Sequence, residues 1–185
     1  MRQPGDRAPA PGALALVQDF VNTLDIEAGV DTLADAGALA AFCDAHGMRT
    51  GHLRADDVVA CRELREAIRD ACEAHVGVPV GRRSLTTLRR LLTRGSLVVD
   101  IDEDGDARVT PAGGPGTADG LVAAIAAAIV TATVEGTWTR LKACAAHQCR
   151  WVYYDRSPAG RSRWCTMSIC GSRAKMRAYR RRPGQ

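Results

Sequence analysis

Apolar residues recur at spacings of three and four between Ala13 and Asp25, where Leu14, Val17, Val21 and Leu24 make one helical stripe. Asn22 stands beside that stripe. Its amide suits capping or bridging of backbone groups, and a contact in a small-ligand pocket is the alternative. After Gly29, Asp35 fits the N-cap of a second helix through Leu39 and Phe42 to His46, with Gly47 placed to close it. Asp56 or Asp57 opens the longest amphipathic run, with Leu64, Ile68, Ala71, Cys72 and His75 on one face. The other face is Arg62, Glu63, Arg65, Glu66, Arg69, Asp70 and Glu73, which reads as a solvated surface supported by oppositely charged neighbours one turn apart. Ser84 is placed to cap a fourth helix from Leu85 to Thr93, closed by Gly95.

Ser96 to Ile101 is short and β-branched, and Ala107 to Thr110 can return after a turn at Glu103, Asp104 and Gly105, so a hairpin is predicted. Asp100, Asp102, Asp104 and Gly105 match the first half of a calcium loop. Its twelfth position is Pro111, where a bidentate Glu is required, so the turn reading stands. Thr117 caps a long helix through Leu121, Ile125, Ile129 and Val134. That apolar run is shorter than the roughly 20 residues a membrane span needs, which makes it a buried core helix. With aromatic residues at only 4%, the core must be built from Ala, Leu, Val and Ile. The pattern therefore predicts a mainly α fold with a small β-hairpin, in the α+β class. Residues 1–12, rich in Pro and Gly, read as a disordered tail without a secretory leader, 13–140 as a helical domain and 141–182 as a small module that, with no Pro-rich linker before it, docks against that domain or continues rigidly from it.

Four cysteines organise that module, as Cys144-x4-Cys149-x15-Cys165-x4-Cys170. Two Cys pairs joined by such a connector suit one tetrahedral structural Zn²⁺. Two disulfides are the competing reading, disfavoured by the cytoplasmic location expected of a chain without a leader, where thiols stay reduced. His147 could replace Cys149 as a ligand, since neutral imidazole also binds zinc. Cys43, Cys61 and Cys72 sit in helical patterns beside apolar neighbours and read as small buried hydrophobes. Between the pairs, Trp151 to Tyr154 is predicted as a strand and Ser157 to Gly160 as a turn. Arg161 to Cys165 is then a returning strand, with a helix from about Ile169 to Arg181. Knuckle, hairpin and helix around one metal make a treble-clef-like finger. A module of about forty residues buries too little apolar surface to fold alone, so zinc is needed for its stability.

Charge is distributed unevenly. From Cys144 onward ten Lys and Arg face one acid, Asp155, a local balance of +9 that leaves −5 on the rest of a chain whose formal total is +4. Four thiolates on Zn²⁺ leave negative charge, which Arg150, Arg163 and Arg173 are near enough in sequence to offset. Helical spacing puts Arg173, Arg177 and Arg180 on one ridge. Together with Arg161, Arg163, Lys175 and Arg181 they are the candidate DNA contacts, the alternative being a solvated charged face.

Cys144-x4-Cys149, Trp151 to Asp155, Arg163-Trp164-Cys165-x-Met167 and Cys170-Gly171-Ser172-Arg173 resemble the CGNR zinc-finger family of bacterial transcription regulators. Phe20-Val21-Asn22-Thr23-Leu24 is similar to the early motif of the helical ABATE domain found with it. The resemblance implies zinc on the four cysteines and DNA on the finger. Ser172 departs from the family Asn, which keeps a helix-cap role but removes any base contact through an amide. The expected function is a zinc-dependent DNA-binding transcription regulator without membrane contact, its N-terminal domain sensing a small-molecule effector or forming a homodimer. A zinc-stabilised protein-protein interaction module without nucleic-acid binding is the alternative. An enzyme is not expected: His46, His52, His75 and His147 lie apart, no phosphate loop or nucleophile elbow occurs, and a zinc ion held by four cysteines has no open position for water.

Overall fold

The computed structural model describes residues 3–48, 51–112 and 117–180. Helix α1 (Leu14–Val21) buries Leu14, Val17, Phe20 and Val21 and stops at Asn22. A two-residue ladder follows, β1 (Leu24–Asp25) against β2 (Val30–Asp31), with Gly29 in the left-handed region at its tip. Helix α2 (Ala36–Ala45) starts where the Asp35 carboxylate accepts the Ala38 N–H at 2.8 Å. Its end is a Gly47 turn, in which the Met48 N–H reaches back to the Cys43 carbonyl. Helix α3 (Ala55–Ala74) begins with the Asp57 carboxylate on the Arg54 N–H. Helix α4 (Arg82–Leu92) starts two residues before Ser84, whose hydroxyl donates to Asp70 on α3 instead of capping.

Strands β3 (Leu97–Ile101) and β4 (Ala107–Pro111) form the predicted hairpin, with Val99 opposite Val109. The Asp102 carboxylate accepts the N–H groups of Asp104 and Asp106, so this acidic turn satisfies itself. Helix α5 (Ala118–Val134) is capped by Thr117, whose hydroxyl oxygen accepts the Gly120 N–H at 3.0 Å. Gly95 lets the preceding turn press on α5, because a Cβ there would stand 2.7 Å from the Ala123 nitrogen. Phe20, Leu64, Ile68, Leu121 and Ile125, all essentially inaccessible, form the centre where α1, α3 and α5 meet. Among the described residues no helix is long and apolar enough to cross a membrane.

The chain then enters β5 (Leu141–Ala143), antiparallel to β6 (Val152–Tyr154). Leu141, Ala143 and Val152 belong to the same core as the helices, while Tyr153 turns the other way into a second cluster with Cys144, Cys165 and Cys170. Alternation along one short strand thus joins finger to body with no linker between them.

Three expectations are corrected here. Residues 161–165 are not the returning strand: β6 pairs with the residues just before Cys144, since the knuckle between the cysteines is itself the hairpin connection. The 161–165 segment is held instead by the Ala145 N–H on the Arg163 carbonyl and by the Tyr153 hydroxyl on the Ser162 carbonyl. Second, the described part of the supposed disordered tail is packed, with Gln3 and Ala10 buried. Third, the charged face of α3 is not all solvated. Arg65 is buried with its fork on the Asp31 carboxylate, and Arg69 is inaccessible, donating to the carbonyls of Val21, Leu24 and Arg150.

Candidate metal centre and the basic helix beside it

The first cysteine pair lies on a knuckle entered from β5 and left into β6. Its tight turn is closed by the Cys149 and Arg150 N–H groups on the Ala146 carbonyl, at 2.8 and 3.0 Å. Arg150 is left-handed, with φ of 47°, a conformation that disfavours a side chain. Packing holds it there: its carbonyl accepts from Arg69, and its guanidinium donates to Asp70 at 2.5 Å and Glu73 at 3.0 Å. Arg150 therefore faces α3 and does not serve the cysteines as the sequence suggested.

Cys165 precedes a π-helical turn, Met167–Gly171, that carries Cys170 and leads into α6 (Ser172–Arg180). A Cβ at Gly171 would come within 2.8 Å of the Met167 sulfur, so a larger residue there would displace the exposed Met167 side chain. The Ser172 hydroxyl donates to the Met167 carbonyl at 3.1 Å, so the residue that replaces the family Asn stitches the turn to the helix.

The sulfurs of Cys144, Cys149, Cys165 and Cys170 all lie within 4.8 Å of one another. Cys149 to Cys165 is 3.6 Å and Cys165 to Cys170 is 3.7 Å. A tetrahedral Zn²⁺ with bonds of about 2.3 Å to sulfur needs edges of about 3.8 Å, so the donor set fits one zinc ion in size, number and chemistry. His147 is exposed outside this group. Without a cation, four thiols this close cannot all ionise. Cys144 is held down at about 2 by hydrogen bonds from the Cys149 and then the Cys165 thiol. The same contact with Cys144 pushes Cys149 up to about 12, and contacts with Cys144 and Cys149 push Cys165 up. A divalent cation removes this conflict by stabilising every thiolate at once. The backbone N–H groups of Cys165 and Ala146 aimed at Cys144, and of Trp151 at Cys149, supply the donors a zinc-thiolate centre needs. By contrast, burial pushes Cys43 up to about 11 and Cys61 and Cys72 up to about 12, so these three are neutral core thiols.

Beneath the centre, Lys142 and Asp155 form a buried ion pair at 2.8 Å. Burial alone would raise the Asp155 carboxyl, but hydrogen bonds from the Lys142 and Ser157 side chains and from the Ser157 and Ser162 backbone hold it at about 2. Lys142 also donates to the carbonyls of Gly160 and Ser162, fixing the loop that presents Arg161 and Arg163, both exposed.

The candidate DNA contacts are only partly brought together. Helix α6 buries none of its residues, and Arg173, Arg177 and Arg180 line one side. Lys175 lies roughly half a turn round from them by the 3.6-residue repeat. Arg181 lies outside the described residues. Arg173 is paired with Glu27, at the tip of the β1–β2 ladder. The Asn22 amide is buried, and both its polar atoms are engaged by the Val152 backbone. Sequence reasoning missed the Lys142–Asp155 pair, Arg69 and Arg7, whose partners lie far away along the chain.

The geometry defines a class: a four-cysteine, treble-clef-like zinc module built into the side of a helical domain. Residues 140–183 match the family model described as CGNR zinc finger, and residues 14–136 match ABATE, described as "Putative stress-induced transcription regulator". The second match covers most of the chain, which belongs to this ABATE family, as the sequence resemblance implied. A search of curated proteins found no match.

Proposed function

We propose that the protein is a zinc-dependent DNA-binding transcription regulator whose finger contacts DNA through α6 and the 156–163 loop. The observation that carries this reading is α6 itself, anchored at its foot by Cys170 and with no residue buried, with Arg173, Arg177 and Arg180 along one side. An α-helix, about 10–12 Å across with its side chains, fits a major groove about 12 Å wide. Phosphate neutralisation by these arginines, with Arg161 and Arg163, would supply the affinity. The helical body is the regulatory part of this proposal. A polar groove of about 520 Å³ between α3 and α4, lined by Arg62, Glu66, Asp70, Arg83, Ser84 and Arg150, gives a small polar effector access to the residue that follows Cys149. The exposed Val98, Val99 and Ile101 of β3 offer a surface for a second copy.

The test is binding of the zinc-loaded protein to labelled duplex DNA across a salt series. Replacing Arg173, Arg177 and Arg180 together by Ala should flatten the log–log salt slope by about 3, since each lost phosphate contact removes about 0.9. A protein that fails to bind duplex DNA at low salt overturns the reading. One observation favours a protein partner instead: Met176 and Tyr179 on α6 are exposed, and Met176 shares a surface groove with the exposed Ile169.

A further inference from the structure

The N-terminal stretch lies outside both matched families, yet it is wound along the finger. Gln3 is 6% exposed, and its side-chain carbonyl accepts from Gln18 of α1 at 3.0 Å and from the indole N–H of Trp151 at 3.1 Å. Gly5, left-handed at φ of 64°, lies so close to Thr166 that a Cβ would stand 2.7 Å from its methyl group. The Pro9 carbonyl accepts from Arg156 at 2.7 Å, and the Ala10 N–H donates to Gln18 at 2.6 Å. Residues 3–10 are thus tied at both ends to buried groups and touch the finger in between.

Arg7 is the centre of this strap. Its Nε donates to the Cys165 carbonyl at 2.5 Å, and one terminal nitrogen reaches the Trp164 carbonyl at 3.3 Å and the Ser162 hydroxyl at 3.4 Å. Its guanidinium carbon stands 4.7 Å from the centre of the Tyr153 ring, and Tyr153 packs among Cys144, Cys165 and Cys170. One planar group therefore fixes two successive carbonyls of the backbone that delivers Cys165, a fork that a lysine cannot reproduce. It also brings a positive charge to a centre that four thiolates make negative, a task expected of Arg150, which is turned to Asp70 and Glu73 instead.

We propose that residues 3–10 are a third segment of the zinc module and that Arg7 is a positioning residue for Cys165, so that metal retention depends on a stretch beyond the cysteine motif. The inference rests on the four-cysteine zinc reading and is independent of whether the finger binds DNA. Without the strap, the turn before the second cysteine pair gains freedom, the ligand geometry loosens and the metal escapes faster.

The experiment uses the full chain loaded with zinc, and separately with Co²⁺ as a spectroscopic probe. Zinc transfer to a chromophoric chelator should be at least tenfold faster in Arg7→Ala. It should be intermediate in Arg7→Lys, and faster again than wild type in Gly5→Ala, whose added methyl pushes the strap from Thr166. The thiolate-to-cobalt bands should shift or broaden in Arg7→Ala while the helical circular dichroism stays that of wild type. Gly5→Ala and Arg7→Lys keep the test available should Arg7→Ala not fold. Release rates within twofold of wild type, or lower overall stability with superimposable cobalt bands, would overturn the positioning role. A wild-type chain that takes up neither metal in stoichiometric amount would instead remove the zinc reading, and this inference with it.

Discussion

Asn22 and Val152 are joined by two hydrogen bonds, the Val152 N–H to the Asn22 side-chain oxygen at 2.9 Å and the Asn22 amide nitrogen to the Val152 carbonyl at 2.7 Å. The bonds of β6 to its partner run through the flanking residues, with the Cys144 N–H on Trp151 and the Asp155 N–H on the Arg140 carbonyl. Val152 therefore turns its own polar groups outward, and the residue at the end of α1 stands where a third strand would be. The first motif of the body thus locks the finger. Asn22→Ala should leave the buried Val152 N–H unpaired, at about 1–3 kcal/mol, while the Val152 carbonyl keeps the Gln18 amide at 3.2 Å. Urea unfolding followed by tryptophan fluorescence should show a lower midpoint, and an unchanged midpoint would mean that the two halves are held together elsewhere.

The Lys142–Asp155 pair makes a second prediction. Both groups are buried, and Asp155 accepts from Lys142, Ser157 and Ser162 at once. Asp155→Asn leaves an uncompensated ammonium in the interior, a change that costs about 3–5 kcal/mol. The loss should appear as cooperative unfolding at lower denaturant concentration. Because the folded carboxyl sits near 2, below the roughly 3.9 of an unfolded Asp, the pair's contribution is full above that unfolded value and is lost as pH falls toward 2. The variant should therefore lack part of the wild-type acid sensitivity below about pH 4.

What could be read ahead of the structure follows from how far apart the interacting residues are. Asp35, Thr117 and Gly47 act on neighbours within one turn, so the starts of α2 and α5 and the end of α2 follow from local chemistry. The cysteine spacing announces its own geometry because a metal with few allowed coordination shapes imposes it. Periodicity counts charge as polar, so it predicts solvent-facing positions for Arg65 and Arg69. Their burial depends on Asp31 and on carbonyls of α1 and the knuckle, up to 81 residues away. No strand is predicted over Leu141 to Ala143, since three residues carry too little pattern to announce one. In the sequence Asn22 is only a polar residue near an apolar stripe, and its bridging of Val152 depends on a partner 130 residues away.

Glu27 and Arg173 form an exposed pair between the β1–β2 tip and the foot of α6. Such a pair adds little to stability, but it occupies an arginine that the proposed DNA contact needs. Glu27→Gln should leave thermal unfolding nearly unchanged and tighten duplex binding a few-fold at low salt. The gain should shrink as salt screens the carboxylate in the wild type. Anisotropy titrations of the two proteins in parallel decide this, and equal affinities would show that Arg173 stays with Glu27 or takes no part.

His75, half-buried near the end of α3, ties the body to β5: its Nδ1 lies 2.7 Å from the Leu141 carbonyl, and its ring meets Trp138 edge-on at 5.2 Å. A carbonyl only accepts, so the neutral ring carries its proton on Nδ1. Burial holds this imidazole below its ordinary value, the bond to Leu141 opposing the shift and nearby Lys142 adding to it. The unfolded chain, with a value of about 6.5, therefore takes up the proton first as pH falls, and folding is progressively disfavoured down to the folded value. Above about pH 6.5 the contribution is complete. Zinc retention also weakens in acid, because protons compete for the thiolates, so the informative quantity is a difference. The drop in unfolding midpoint between neutral pH and about pH 5 should be smaller in His75→Phe than in the wild type, at equal zinc content. A parallel decline in the two proteins would assign the acid sensitivity to the cysteines alone.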